Sequence, residues 1–356
     1  MKIRLGSHPS NLSLFILRHR GVIEPAARDR GWQLEWFDYT QGARSGEWLA
    51  DEQVDVVGTG STPPISAQAT GLDVAYLASS PPRNNNCALL TLQSNAISSL
   101  RAKRLTGMPG SFTDHFLARL LQKQNLRRTD VTLLDLQGQD AMTALLNGDI
   151  DGWLAIDPWL TRALQIKDVV ARSAVGDEII NRSLFWTRAA WQQRYPEVAA
   201  WIVKQLRVND AWIEQHPVGA AQILADKLNP AILPDEWLKT IRGRPWGLTP
   251  ASDALLAEQQ QQADDLFAVD WVYDVLQQEN HWAKAHPLEA GKIWASQMGQ
   301  QGSTLAALLG RVNTVPITPV DDAAITHIGH IANWYQQQGL IASHPDIRQH
   351  VVTLTP

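Results

Sequence analysis

The 356-residue chain has one cysteine, Cys87. A single thiol excludes an internal disulfide and any cysteine-based zinc cluster, because both need several thiols. The ten histidines are scattered, without a His-Glu-x-x-His pair, and no carboxylate-rich loop of the calcium-binding kind is present. No metal and no cofactor is therefore expected. Long apolar runs are also missing: no window approaches about 18 uninterrupted apolar residues, the length a membrane span needs. Charge is sparse, at 19% of residues with a formal net charge of -5. That balance gives no general reason to bind nucleic acid or an anionic membrane, so an anionic ligand would have to be held by local donors.

What is present is 44% hydrophobic residues, enough to bury the cores of two globular lobes. The first 170 or so residues alternate short apolar runs with amphipathic stretches, a βαβ rhythm that implies a mainly parallel sheet covered by helices. Strands are expected at Lys2 to Gly6, Gln33 to Asp38, Val54 to Gly58, Val74 to Ser79, Cys87 to Leu92, Val131 to Leu134 and Gly152 to Ile156. Leu12, Phe15, Ile16 and His19 repeat at helical spacing, as do Phe116, Leu117, Leu120 and Leu121. After about residue 188 the pattern is helical throughout, with Pro196, Pro217 and Pro250 at expected helix starts. Pro81 to Asn86 breaks the first half, and Asn181-Arg182-Ser183 precedes a further extended run, Leu184 to Thr187.

These breaks divide the chain into lobe I (1–82 plus 187–268), lobe II (83–186, with crossings near 83–88 and 181–186) and an additional helical segment, 269–356, resembling 199–268. The last expectation rests on an internal repeat. Trp212, His216, Pro217, Ala220, Ile223 and Ala225 recur 70 positions later as Trp282, His286, Pro287, Ala290, Ile293 and Ala295. Two copies do not make a solenoid, so a duplicated helical segment is expected.

The stretch Gly58-Thr59-Gly60-Ser61-Thr62-Pro63-Pro64-Ile65-Ser66-Ala67-Gln68-Ala69-Thr70-Gly71 resembles the loop and helix of ABC-transporter solute-binding proteins of the aliphatic sulfonate, taurine and nitrate class. Asn11-Leu12-Ser13-Leu14, Gly110-Ser111, Asp149 to Pro158, Asn181 to Trp186 and Gln259 to Phe267 follow in the family's order, so the resemblance covers roughly residues 2 to 268. Ser61 stands where many relatives have an acidic residue. The resemblance implies a two-lobed α/β fold of the type II periplasmic-binding class with a largely helical, partly duplicated tail. It also implies a small anionic ligand such as an alkanesulfonate or taurine, an ABC permease as partner, a monomer and no catalytic residues. The start of the chain, Met1 to Pro9, turns polar too soon for a secretory signal. A periplasmic protein whose signal has been removed is expected, with the cytoplasm as the alternative.

The ligand-binding set so implied is Ser10, Asn11, Ser61, Thr62, Arg83, Ser111, Phe112, Thr113, Trp153, Asp157, Asn181 and Arg182. Each candidate loop joins a strand's carboxyl end to a helix start, where open α/β sheets collect ligands and helix N-termini offer unpaired N–H groups. The plainer reading makes the Ser, Thr and Asn residues ordinary helix caps, Asp157 the cap of the helix after Pro158, and Trp153 and Trp159 core residues. Arg83 and Arg182 face either the cleft or solvent. His8 could reach the ligand or be a satisfied loop histidine, and Cys87 reads as a buried small hydrophobe. The rival function is a cytosolic enzyme on the same architecture, a desulfinase or a pyrimidine-forming protein of the thiamine pathway, or a ligand sensor. The desulfinase reading wants a cysteine in the first cleft loop, which Ser7-His8-Pro9-Ser10-Asn11 lacks, and the thiamine-pathway reading wants a cysteine-rich motif.

Overall fold

Along Lys2–Ser7 the side chains alternate, with Ile3 and Leu5 fully buried and Lys2 exposed, which is the period-two pattern of a strand with one face on a core. In the computed structural model, which describes residues 1–95, 97–269 and 282–297, this is β1 of a six-stranded sheet. It is followed by α1 (Leu12–Arg20), α2 (Ile23–Arg28), β2 (Gln33–Asp38), α3 (Ser45–Ala50), β3 (Val56–Thr59), α4 (Thr62–Ala69) and β4 (Val74–Ser79). The chain then enters a second sheet through β5 (Cys87–Leu92), β6 (Arg104–Thr106), α5 (Phe112–Gln122), β7 (Thr132–Leu134), α6 (Gly138–Asn147), β8 (Gly152–Ile156), α7 (Trp159–Ala163) and β9 (Val169–Ala174). It returns with β10 (Leu184–Arg188), α8 (Ala189–Arg194), α9 (Pro196–Gln215), α10 (Pro217–Lys227), α11 (Pro234–Arg242), β11 (Thr249–Pro250) and α12 (Asp253–Ala268).

The first sheet runs β11-β4-β10-β3-β1-β2 and the second β7-β6-β8-β5-β9. Both are mixed, where the sequence rhythm suggests mainly parallel pairing. β1 lies parallel to β2 and β3, and β6 parallel to β7 and β8, but the strands that carry the chain across and back, β5 and β10, insert antiparallel to both neighbours. Because β10 sits between β3 and β4, residues 184–186 belong to the first sheet and the return crossing ends before them. Three strands escaped the periodicity: β6 is three residues long, β9 has a largely exposed central stretch that includes Arg172, and β11 takes Thr249–Pro250, where a helix start is expected at Pro250 and α12 instead begins at Asp253.

Each sheet has its own core. Ile3, Leu5, Val56 and Phe185 pack with Trp201 and Ile202 of α9, while Leu90, Trp153 and Ala155 pack with Ala141 and Leu145 of α6. The helices after β10 cover the first sheet. α12 contacts both α4 and α5: Gln262 Nε2 donates to Thr62 Oγ1 at 2.8 Å, and Asp265 accepts from Arg119 at 3.1 Å and lies 2.7 Å from His115 Nε2. Further along it, Glu258 takes Arg182 on both oxygens, at 2.8 and 3.0 Å.

The chain divides into two compact units, Met1–Val269 and Asp270–Pro356. In the second, α13 (Pro287–Gln297) follows Trp282, whose ring stacks on His286 at 5.2 Å and 20°; in the first, α10 follows Trp212, which stacks on His216 at 5.1 Å and 11°. His216 and His286 each place Nδ1 about 3 Å from the Trp carbonyl four residues before, at 3.0 and 2.9 Å. The repeat is thus visible as local geometry in 282–297; its remainder to residue 340 lies outside the described residues.

Candidate anion-binding cleft

The carboxyl ends of β1, β3, β6 and β8 converge on a cavity of about 850 Å³ lined by both sheets' loops and by α11, the position at which α/β sheets bind ligands. Close packing fixes the first loop. A Cβ on Gly58 would stand 2.4 Å from Asn11 Nδ2 and 2.5 Å from Leu14 Cδ1, so β3 passes the head of α1 only as glycine. Asn11 caps α1 by accepting from Leu14 N at 3.1 Å, and its Nδ2 is buried without a partner.

Of the expected residues, Ser10, Asn11, Arg83, Ser111, Phe112, Trp153 and Asp157 line the cavity, whereas Ser61, Thr62, Thr113, Asn181 and Arg182 lie outside its lining. Thr62 Oγ1 donates across to Ser111 O at 2.7 Å, joining the two sheets' loops. The Thr113 hydroxyl closes its own loop, donating to Met108 O and accepting from Met108 N, both at 3.0 Å. Ser61 is buried with its Oγ unpartnered. Arg182 is spent on Glu258 and on Ser80 O. Asn181 supports the site from behind, accepting from Arg83 Nη2 at 3.3 Å and donating to Asn86 at 2.8 Å. Asp157 both caps and faces the cavity: its Oδ1 accepts from Thr161 N and Oγ1 at 3.1 and 2.7 Å.

Two titratable groups define the electrostatics. His8 is buried, its Nε2–H donates to Thr40 O at 2.9 Å and its Nδ1 accepts from Ser10 N at 3.1 Å. That pairing requires the neutral ring, and burial pushes its pKa down to about 4. Arg83 is 5% exposed, has its Nε buried without a partner, and makes no carboxylate ion pair among the described residues. Burial, reinforced by repulsion from Arg244, drives its pKa well below the usual value.

Arg244, Trp237 and Thr240 also line the cavity and were not singled out as ligand contacts from sequence; Trp159, weighed beside Trp153 in the sequence, lines it too. Arg244 follows α11 in Gly243-Arg244-Pro245, a breaker cluster whose only one-dimensional signal is a turn. Its guanidinium lies 5.0 Å from the Trp246 ring, its Nε is buried without a partner, and burial pushes its pKa down to about 10 against the pull of Asp210 and Asp157.

A protein of Bacillus subtilis (strain 168) named as an aliphatic sulfonates-binding protein is 26% identical over 231 residues, 63% of this chain and 69% of that one. An Escherichia coli (strain K12) protein of the same name is 26% identical over 165 residues, 46% of this chain and about half (51%) of its own length. The fold is similar to the crystal structure of the periplasmic aliphatic sulphonate binding protein SsuA from Escherichia coli, with TM-score 0.66 and 22% identity over 75% of this chain and 86% of that one. It is equally similar to the alkanesulfonate-binding protein SsuA from Xanthomonas axonopodis pv. citri bound to MOPS, with TM-score 0.65 and 24% identity over 76% and 93%. The expected two-lobed binding-protein fold is therefore observed. The family described as NMT1/THI5 like matches residues 28–216, more than half of the chain, and the protein belongs to that family.

Proposed function

We propose that this protein is a solute-binding protein that closes its two lobes around a small organosulfonate or related oxyanion and delivers it to an ABC importer. The observation that carries this reading is Arg83. A buried guanidinium without a carboxylate costs several kcal/mol unless something else supplies the opposite charge, and Arg83 lines the cavity. A sulfonate is ionised at all ordinary pH values and offers three acceptor oxygens, so it serves as the missing counter-ion. The names of the relatives support the same ligand class.

The reading includes no catalytic step. Cys87, the sole thiol, is fully buried in β5 and burial raises its pKa, which removes the thiolate that a nucleophile needs. His8 has both ring nitrogens engaged, and the His115–Asp265 pair lies outside the cavity lining. Periplasmic location and a permease partner belong to this proposal. Among the described residues no helix is long and apolar enough to cross a membrane. Titration calorimetry with alkanesulfonates, taurine and nitrate, paired with product analysis, tests it: one sulfonate bound per chain without turnover is expected, and steady release of sulfite would sink the transport reading.

A further inference from the structure

Besides Arg44, which pairs with Glu47, the cleft holds two guanidinium groups where one sulfonate needs a single counter-ion. Arg83 and Arg244 both line the cavity and repel each other. The acids near Arg244 attract it at a distance, and their hydrogen bonds among the described residues go elsewhere. Asp210 accepts from Ser13 Oγ and from Gly247 N, and Asp157 Oδ1 accepts twice from Thr161. Arg244 Nε is left buried and without a partner. The same wall carries a second unfilled donor, Trp237 Nε1, on a residue only 4% exposed that also lines the cavity. Buried donors are nearly always paired, so two orphans on one cavity wall point to a ligand group that fills them.

Resting on the sulfonate reading of the cleft, we propose that the solute carries a second oxyanion, a carboxylate or another sulfonate, held by Arg244 and Trp237 while Arg83 takes the first. The class is a short sulfocarboxylate or disulfonate. About 850 Å³ is ample for both groups and the carbon chain between them. Asp157 lines the same cavity and opposes an anion there, with its Oδ1 turned to Thr161, from which it accepts two bonds. A second anion also offsets the mutual repulsion of the two arginines, adding to the attraction of Asp210 and Asp157 for Arg244.

The test is calorimetric titration with ethanesulfonate, sulfoacetate and ethane-1,2-disulfonate, on the parent, Arg244→Gln and Arg244→Lys, with melting temperatures to verify folding. At least one dianion binds the parent about tenfold or more tighter than ethanesulfonate, the effect of one charged hydrogen bond. Arg244→Gln erases that preference by weakening the dianions about tenfold more than ethanesulfonate, and Arg244→Lys keeps part of it. The inference is overturned if the parent binds ethanesulfonate as tightly as both dianions, or if Arg244→Gln weakens all three ligands alike. Should Arg244→Gln fail to fold, the parent's own preference and Arg244→Lys decide. If none of the three binds, the sulfonate reading itself fails and the inference with it, an outcome distinct from tight binding of the monoanion alone.

Discussion

Ala43 and Gly110 meet across the cavity so closely that a Cβ on Gly110 would stand 2.5 Å from the Ala43 Cβ. Ala43 belongs to the turn before α3, packed on the first sheet, and Gly110 to the loop before α5, over the second. Gly110 also has φ +73°, a conformation only glycine adopts freely. With the Thr62–Ser111 bond at 2.7 Å, this contact defines a closed arrangement. Enlarging Ala43 rather than Gly110 avoids backbone strain. Ala43→Leu wedges the contact at the usual overpacking cost of about 1–3 kcal/mol, paid only on closure. Affinity falls about fivefold to a hundredfold, while the ligand-free melting temperature changes little; equal loss in both measurements would refute the wedge.

Arg83 makes an opposite pair of effects. Arg83→Met removes a buried charge that has no carboxylate, so the ligand-free protein gains stability on the order of 1 kcal/mol or more. It simultaneously loses sulfonate affinity by more than about tenfold. Thermal unfolding without ligand and calorimetry with it measure the two halves. A destabilised variant that still binds would make Arg83 a scaffold residue.

His8 gives stability a pH dependence of defined sign. Its folded pKa, about 4, lies below the ordinary 6.5, so the unfolded chain binds the proton more readily. Stability is fully present above pH 6.5, falls as pH drops, and stops falling near pH 4. The drop attributable to His8 is on the order of 3 kcal/mol. Urea unfolding from pH 7 to 4 checks it, because His8→Gln flattens that part of the profile.

Ser111 and Thr113 separate into two roles. Both hydroxyls bond to Met108 O, at 2.6 and 3.0 Å, but Ser111 lines the cavity whereas Thr113 is 1% exposed and lies outside its lining. Ser111 has one O–H and reaches a sulfonate by exchanging its bond to Met108 O for one to a charged acceptor, so Ser111→Ala is expected to weaken sulfonate binding by about threefold to tenfold. Thr113→Ala lowers stability by about 1–3 kcal/mol, from the unpaired Met108 amide, with affinity within about threefold of the parent. Affinities and melting temperatures of the two single variants decide between this split and a shared ligand role.

Much of this architecture is legible in the sequence because alternation is a local signal. The expected strands from Lys2 to Ile156 appear with shifts of one or two residues. β6 was too short to show a period, and the exposed middle of β9 carries no apolar pattern. The antiparallel insertion of β5 and β10 is a three-dimensional decision that no window of residues contains. At the cleft, cap chemistry marked the right loops but not the facing of each hydroxyl: Ser111 and Thr113 look alike in one dimension, and the turn through Gly110 decides which of them sees the cavity. Arg244 was missed because the helical tail, rich in tryptophan, reads as packing; only the fold brings the end of α11 to the cavity wall.

α12 has a consequence for binding. With Glu258 on Arg182, Gln262 on Thr62 and Asp265 on Arg119, one helix is tethered to elements of both sheets, adding a third connection to the two chain crossings. Three ties permit a much smaller range of opening angles than two. The range of opening is correspondingly narrower, so less conformational freedom remains to be surrendered when the solute arrives.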